Sequence, residues 1–269
     1  MNPNWSDLDR PSLRQQQLRA ALVAQNGLFT DVTVVERTTS TNADLVRLAR
    51  AGAAQGVVLV AEQQTAGRGR MDRTWTAPAR AALTFSVLLR PDFAPSRWPW
   101  LPLLAAVAVA APLARISQLN VRVKWPNDVL IGELKVAGIL AERVDDAVVL
   151  GIGLNVLQRA DELPVETATS LALAGSAVVG RDPVLRTILR ALARLYADLR
   201  GAGGDADAAG LRSAYLGHCA TVNRQVVVEL PGGRVITGEA TGVDDEGRLE
   251  VRAGSGREAV GAGDVVHVR

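Results

Sequence analysis

Four short apolar segments follow one another between residues 121 and 155, and tight turns rather than helices separate them. Their apolar, β-branched composition predicts strands over residues 121–124, 129–131, 136–142 and 148–155. Successive strands without crossover helices pair side by side, so this region predicts a largely antiparallel or mixed sheet. Further strands are predicted at residues 32–36, 57–62 and 83–89, and helices at residues 12–25, 40–50, 102–117, 184–199 and 208–216.

The pattern changes near residue 221, after which the chain shows only short strand patterns. These predicted strands cover residues 225–230, 235–243, 248–251, 258–260 and 265–268. Turn sequences such as Pro231-Gly232-Gly233 separate them, which is typical of a small β-barrel of roughly fifty residues. We therefore predict two domains, residues 1–220 and residues 221–269.

Composition and charge exclude several classes of protein. Hydrophobic residues make up 48% of the 269 residues, and the formal net charge of +2 does not indicate a nucleic-acid binder. The one cysteine, Cys219, excludes an internal disulfide and fits a reducing compartment. The N-terminus lacks an apolar signal core, and the longest apolar stretch, residues 101–113, is too short to span a bilayer. We therefore expect a cytoplasmic protein that associates with neither DNA nor a membrane.

Lysine is almost absent from the chain. Of the 30 basic residues only two are lysines, Lys124 and Lys135, and both lie in one twelve-residue segment. An arginine side chain is a planar fork, whereas a lysine ammonium is a compact point charge with three rotatable donors. Because arginine is used at every other basic position, we predict that these two positions require the ammonium group itself. The alternative is that codon bias favours arginine throughout and that these two lysines remain by chance, although their clustering argues against it.

Several segments carry polar groups suited to a ligand site. Gly67-Arg68-Gly69-Arg70 combines glycines that allow close backbone approach with donors for a carboxylate or phosphate. It has neither the Walker nor the Rossmann spacing, and a solvated turn is the alternative. An extended turn with an amide and a carboxylate at its tip is predicted for the segment Lys124-Trp125-Pro126-Asn127-Asp128. The alternative is a structural Asx turn with a surface ion pair. Lys135 lies at the mouth of a buried strand, and Asn155 ends another, where its amide requires a buried partner.

In this order, these segments resemble the biotin protein ligase family. The resemblance rests on Ser40-Thr41-Asn42, residues 64–70, Trp75, residues 124–128, residues 135–142 and residues 151–155. It covers roughly residues 30–269 and implies an α+β fold, a class II aminoacyl-tRNA synthetase-like mixed sheet backed by helices, with a C-terminal SH3-like β-barrel. It implies the monofunctional type without an N-terminal DNA-binding domain, because only about thirty residues precede the first catalytic strand and a winged helix needs about sixty.

Two other functions compete with this one. A lipoate or octanoate ligase of the same fold lacks the Gly-Arg-Gly-Arg loop. A ligand-binding pseudoenzyme would not require both lysines together with Asn127. Incubation with ATP and each acid distinguishes the three.

The resemblance implies a reaction in two steps. The biotin carboxylate attacks the α-phosphate of ATP, giving biotinyl-5′-AMP and pyrophosphate, and a lysine of the biotin carboxyl carrier domain of an acyl-CoA carboxylase then displaces AMP. ATP and Mg²⁺ are the implied cofactors, and the metal ligands are left open. Lys135 is implied to bridge the carboxylate and the α-phosphate, a task that suits a point charge.

The resemblance also implies a role for individual residues. The catalytic residues would be Lys135, Arg68, Arg70 and Asp128, and Asp128 could orient Lys124 or the acceptor lysine. The substrate-binding residues would be Ser40, Thr41, Asn42, Gln64, Gly67, Arg68, Arg70, Trp75, Lys135 and Gly138. The residues that bind ATP and its metal would be Arg73, Lys124, Asn127 and Asn155.

One position departs from the family pattern, in which the loop commonly continues Arg-x-Gly-Arg. Here Asp72 stands in place of that glycine and adds a negative charge near the phosphates. This affects loop ordering and ATP affinity rather than the reaction class. We expect residues 67–73 to be mobile without ligand and ordered by the adenylate. The chain is expected to be a monomer or a weak homodimer.

Overall fold

The fold is given by a computed structural model that describes residues 10–254 and 256–268. The helices are α1 (Gln15–Leu22), α2 (Thr41–Arg50), α3 (Trp100–Ser117), α4 (Arg181–Gly201) and α5 (Leu211–His218). The strands are β1 (Asp31–Thr38), β2 (Val57–Gln64), β3 (Gly67–Arg68), β4 (Thr74–Trp75), β5 (Ala82–Leu89), β6 (Val121–Lys124), β7 (Asp128–Ile131), β8 (Leu134–Val144), β9 (Ala147–Asn155), β10 (Gln225–Glu229), β11 (Val235–Val243), β12 (Leu249–Ala253), β13 (Gly256–Val260) and β14 (Asp264–His267). Every helix and strand predicted from the sequence is present with bounds shifted by a few residues, and β3 and β4 are additional.

Seven strands form one mixed sheet, in the order β1-β2-β5-β9-β8-β7-β6. Strands β1 and β2 run parallel, because α2 is the crossover that joins them, and the remaining neighbours are antiparallel. The four strands between residues 121 and 155 form one side of this sheet as consecutive neighbours. The predicted mixed sheet is therefore confirmed.

Helix α3 covers one face of the sheet and packs against α4 and α5. It has 18 residues with a mean hydropathy of 1.6, so among the described residues it is the one helix long and apolar enough to cross a membrane. The apolar stretch of residues 101–113 is only part of this helix, which begins at Trp100 and continues past Pro112 to Ser117. It is 72% buried inside the protein, as the core helix of a folded domain is.

The opposite face of the sheet carries α2 and, beside it, an open surface. A small separate core lies under α2 and consists of Leu45, Ala49, Leu59, Leu88, Val144, Ala147 and Val149. Next to the start of α2 the same face carries small residues, because the strand register places Thr84 beside Gly153 and Ser86 beside Gly151. Without bulky side chains, this part of the sheet lets Asn42 and Trp75 lie close to its backbone.

The five C-terminal strands form a second, antiparallel sheet in the order β13-β12-β11-β10-β14. Its edge strands β13 and β14 do not pair with each other in the residues that the structure describes, so the small barrel is open. The turn between β11 and β12 holds this sheet against the larger one. Trp100 Nε1 donates to the carbonyl of Asp245 (2.9 Å), and Trp125 Nε1 donates to that of Gly247 (3.1 Å).

Candidate active site

A cavity of about 1110 Å³ lies on the α2 side of the large sheet, bordered by the loop after β2 and by strand β14. Every residue predicted to bind substrate or cofactor, or to catalyse, lines this cavity except Gly67. Gly67 pairs with Trp75 in the β3–β4 hairpin, where a Cβ atom would lie 2.3 Å from the Trp75 carbonyl oxygen. Only glycine fits there. The fold therefore brings the predicted residues together, and their individual roles remain predictions.

The end of the cavity next to α2 is lined by buried neutral groups. Ser40 caps α2 by accepting a hydrogen bond from the backbone N–H of Ala43 (3.4 Å), as its cap sequence predicts. The backbone N–H and hydroxyl of Thr41 lie 2.8 and 3.0 Å from Oε1 of Gln64. Since this oxygen is engaged, the amide NH₂ of Gln64 is the group that remains for a ligand.

Asn42 has both ends of its amide occupied by the protein. Its Nδ2 donates to the carbonyl of Leu140 (3.3 Å) and to Oε2 of Glu142 (2.7 Å), and its Oδ1 lies 2.6 Å from the hydroxyl of Ser86. Asn42 thus supports the pocket wall, and its direct contact with substrate remains a prediction. Sequence reasoning missed Ser86 and Glu142. Ser86 carried a usable signal, since a fully buried hydroxyl inside an apolar strand requires a partner.

The indole of Trp75 lies across the middle of the cavity floor. A Cβ atom on Gly153 would lie 2.3 Å from this ring, and one on Gly138 would lie 3.4 Å from the ring and 3.3 Å from Nζ of Lys135. The ring therefore rests on the glycine backbone of β8 and β9, close to Lys135. Its Nε1 is buried without a hydrogen-bond partner in the described residues.

The opposite end of the cavity contains the charged residues Arg70, Lys124, Asp128 and Lys135. Nζ of Lys135 lies 2.6 Å from Oδ1 of Asp128, and Arg70 donates to Oδ1 of Asn127 at 3.2 Å. Lys124 is the cross-strand neighbour of Asp128 in the β6–β7 hairpin. The carboxylate of Asp128 therefore forms an ion pair with Lys135, a partner that the sequence did not suggest.

Arg70 is a cation with little water around it. Burial lowers the pKa of Arg70, and the carboxylates of Asp128 and Asp264 partly offset this effect. An arginine keeps its proton at any physiological pH. The consequence is a poorly hydrated cation that gains from contact with an anion such as a phosphate.

The hairpin between β3 and β4 lies over the cavity and is held by charged side chains. Nη2 of Arg68 donates to both carboxylate oxygens of Glu142 (3.0 Å each). Arg73 forms an ion pair with Asp264 of β14, and this hydrogen bonding raises the pKa of Arg73. The hairpin therefore contacts both the large sheet and the small one.

The tip of this hairpin has a strained backbone. Met71 and Asp72 both adopt left-handed conformations, with φ of +53° and +57°. Non-glycine residues tolerate this region poorly, which explains physically why a glycine suits the position of Asp72. The predicted mobility of residues 67–73 without ligand remains a prediction.

The small sheet holds the turn at residues 124–128 in place. The backbone N–H of Trp125 donates to Oγ1 of the buried Thr221 (3.0 Å), and Nε2 of His267 lies 3.1 Å from the same oxygen. Nδ1 of His267 faces the guanidinium of Arg224 (3.5 Å), which can only donate, so the ring is neutral with its proton on Nε2. Burial and two neighbouring cations lower the pKa of His267 to about 4. Sequence reasoning missed these residues, because nothing local places them beside residue 125.

Asn155 has the buried partners that its position requires. Its Nδ2 donates to the carbonyl of Thr169 (3.0 Å), and its Oδ1 accepts from Nε2 of Gln158 (2.7 Å). The amide is therefore engaged on both sides. Its role in binding ATP remains a prediction.

Comparison with known proteins agrees with this site. Residues 34–157 match the model of the biotin/lipoate A/B protein ligase family, and residues 221–268 match that of the biotin protein ligase C terminal domain. The biotin–acetyl-CoA-carboxylase ligase of Mycobacterium tuberculosis is 43% identical over 265 residues, which cover 97% of this chain and 97% of that protein. The chain belongs to the biotin protein ligase family. It is therefore a ligase.

Two further relatives of this biotin protein ligase extend the comparison. The bifunctional ligase/repressor BirA of Bacillus subtilis is 32% identical over 256 residues, which cover 92% of this chain and 76% of that protein. The solved structure of the biotin protein ligase from Aquifex aeolicus in complex with biotin and ATP is similar with a TM-score of 0.77 and 27% identity. The match covers 90% of this ligase and 100% of that chain, so it includes both sheets.

Proposed function

We propose that this ligase activates biotin with ATP to biotinyl-5′-AMP and transfers the biotinyl group to a lysine of the biotin carboxyl carrier domain of an acyl-CoA carboxylase. The observation that carries the proposal is the division of one cavity into two ends. Neutral donors and acceptors surround Thr41 and Gln64 at one end, and cations surround Lys135 at the other. Biotin has a neutral ureido ring and an anionic carboxylate, and ATP is a polyanion, so the ends suit the two substrates.

In the first step, a carboxylate oxygen of biotin bonds to the α-phosphorus, the bond to the bridging oxygen breaks, and pyrophosphate leaves. Two anions must approach each other, so positive charge between them lowers the barrier. The ammonium of Lys135 can contact oxygens of both, and Asp128 holds it in place at 2.6 Å. Arg70 and Lys124 line the same end and would bind the phosphates. Arg73 would join them when its pairing with Asp264 is released.

In the second step, the neutral amine of the acceptor lysine attacks the acyl carbon of the mixed anhydride. The carbon–oxygen bond to AMP breaks, the amine loses a proton, and an amide forms. The names of the similar ligases support a carrier domain of acetyl-CoA carboxylase as the acceptor. We place the reaction in the cytoplasm and assign it to a monomer or a weak homodimer.

Mg²⁺ would accompany ATP. No group of three or more His, Cys, Asp or Glu that could hold a metal occurs among the described residues. Mg²⁺ commonly keeps several waters and is bound by one or two protein oxygens plus substrate phosphates. The side chains of Asn127 and Asp128 line the cavity and fit this limited role. The ion would neutralise phosphate charge during adenylation.

We assign residues 1–220 to the catalytic domain and residues 221–269 to the SH3-like domain. The first strand of the small sheet begins at Gln225, and the family match to the C terminal domain begins at residue 221, which supports this division. The segment before it pairs with β6, since the N–H of Ala220 donates to the carbonyl of Val123 (2.7 Å). The domain boundary therefore lies next to the turn that carries Lys124.

The test is exchange of labelled pyrophosphate into ATP with biotin, lipoate or octanoate as the acid. We expect exchange with biotin and Mg²⁺ and little with the other two acids. Transfer of labelled biotin to an isolated carrier domain measures the second step. Equal exchange with lipoate, or no exchange with biotin, would show that the proposed substrate is wrong.

A further inference from the structure

Glu142 does not line the cavity, but it contacts two of its walls. It lies on β8 beyond Gly138, the last residue there that pairs with β7, and its side chain is 24% exposed. Its carboxylate accepts hydrogen bonds from Arg68 of β3 (3.0 Å to each oxygen) and from Nδ2 of Asn42 at the start of α2 (2.7 Å). The hairpin over the cavity and the buried pocket wall therefore share one anion.

The hydrogen bonds beyond Asn42 have a defined direction. Its Nδ2 faces Glu142 and a backbone carbonyl, so the amide orientation is set and its Oδ1 must accept from the hydroxyl of Ser86 (2.6 Å). The oxygen of Ser86 is then left to accept from the hydroxyl of Thr41, 2.7 Å away. The backbone N–H of Thr41 holds Oε1 of Gln64 (2.8 Å), which leaves the Gln64 amide NH₂ available for a ligand. Four hydrogen bonds in series thus connect Glu142 to Gln64.

We propose that Glu142 is a positioning residue that couples closure of the β3–β4 hairpin to recognition of the neutral ring of the ligand. With its carboxylate in place, Arg68 keeps the hairpin over the cavity while Thr41 and Gln64 keep their orientation. Without the negative charge, both contacts loosen together, and the cation end around Lys135 is unchanged. The inference rests on the proposed function, and it names the contact that retains biotinyl-5′-AMP.

The test compares Glu142→Gln with a matched control. Glutamine keeps the size of the side chain but has no charge, and its amide NH₂ replaces one of the two oxygens that accept from Arg68. The control is Glu239→Gln, which removes the ion pair with Arg252 in the small sheet, where the side chains are 33% and 52% exposed. We measure release of preformed biotinyl-5′-AMP, and kcat and KM for biotin in pyrophosphate exchange. Glu142→Gln is expected to speed release and raise KM about two- to fivefold with kcat nearly unchanged, as expected for a partly exposed ion pair. The control should match wild type.

A double-mutant cycle separates positioning from a general loss of stability. If Glu142 acts through Arg68, then Glu142→Gln in an Arg68→Gln background adds less than its separate effect on release. Glu142→Asp keeps the charge on a shorter side chain, and its release rate should fall between wild type and Glu142→Gln. Release unchanged in both Glu142 variants, or fully additive effects in the cycle, would overturn the proposal. Absence of biotin-dependent exchange in wild type would instead overturn the proposed function.

Discussion

The two sides of the cavity that carry its cations are held in different ways. On one side, Lys124 and Lys135 extend from strands of the large sheet. The turn between β6 and β7 is held against β8 by Asn127, whose carbonyl accepts from the N–H of Ile139 (2.9 Å) and whose Nδ2 donates to the carbonyl of Ile139 (3.0 Å). Thr221, just before the small sheet, holds the same turn through the N–H of Trp125. On the other side, residues 67–75 form a hairpin whose strands have two residues each. Ion pairs of Arg68 and Arg73 hold that hairpin in place.

This difference shows which part of the site can move. Sheet hydrogen bonds open only with the surrounding structure, whereas partly exposed ion pairs each contribute roughly 0.2–1 kcal/mol. We therefore infer that the lysine side positions the reacting groups and that the arginine side opens and closes. The four predictions below test this contrast.

Lys135→Arg tests the lysine side and should have the largest effect. The charge is kept, but the guanidinium fork cannot occupy the point between carboxylate and α-phosphate, and a misplacement of about 1 Å can reduce the rate roughly a hundredfold. Steady-state adenylation should fall by that order, while the melting temperature barely changes, because Lys135 contributes little packing. Lys124→Arg is the control and should lose less activity. Near-normal adenylation by Lys135→Arg would mean that the ammonium is not required.

Thr221→Val tests how firmly the small sheet holds the turn at residues 124–128. The substitution leaves the N–H of Trp125 buried without its acceptor, which costs about 1–3 kcal/mol, or several degrees of melting temperature. Adenylation should fall as well, because Lys124 loses its fixed position. The control is Thr241→Val in β11, whose hydroxyl makes only a 3.4 Å bond to the carbonyl of Glu250. Equal melting temperatures for the two variants would contradict a specific role for Thr221.

His267 should make the same junction sensitive to acid. Burial and the charges of Lys124 and Arg224 lower its pKa to about 4, with Glu133 opposing them, so the native ring resists protonation. In the unfolded chain the His267 side chain takes up a proton below a pH of about 6.5. The free energy of unfolding that His267 contributes is therefore fully present above pH 6.5 and is lost as the pH falls towards 4. Allowing for solvent screening, we expect a loss of about 1 kcal/mol by pH 5.

The measurement is denaturant unfolding of wild type and His267→Gln at pH 7 and pH 5. The stability of the variant should fall less between the two values, because it lacks the group that is protonated on unfolding. Parallel losses in the two proteins would show that His267 does not carry this dependence.

Asp72→Gly tests the arginine side and should have the smallest effect. Glycine relieves the left-handed strain at the hairpin tip but adds entropy to the unfolded chain, so the closed turn should gain about 0.5–1 kcal/mol. Release of biotinyl-5′-AMP should slow by a few fold. The control is Asp145→Gly, which has the same left-handed φ (+53°) in the β8–β9 turn and should not change release. Faster release from Asp72→Gly would indicate that the aspartate side chain itself stabilises closure.

Much of the fold could be predicted from the sequence, because the signals that define it are local. Apolar strand patterns and the Ser40 cap predicted the elements of both sheets, since burial periodicity and capping act within a few residues. Helix α3 was predicted over residues 102–117 and is observed over Trp100–Ser117. The open edge of the small sheet had no local signal, since closure depends on whether β13 reaches β14.

In the candidate site, too, some features follow from local sequence and others depend on the tertiary structure. The sequence by itself determined which segments carry the polar and charged groups, and their resemblance to the biotin protein ligase family implied a common site. Only the tertiary structure decided the partner of each group: Asp128 with Lys135, Arg68 with Glu142, and Trp125 with Thr221. The two members of the last two pairs lie 74 and 96 positions apart in the chain. A hydrogen bond forms only within about 3 Å, and that distance is set by strand register and by the packing of one sheet on the other, which no local pattern encodes.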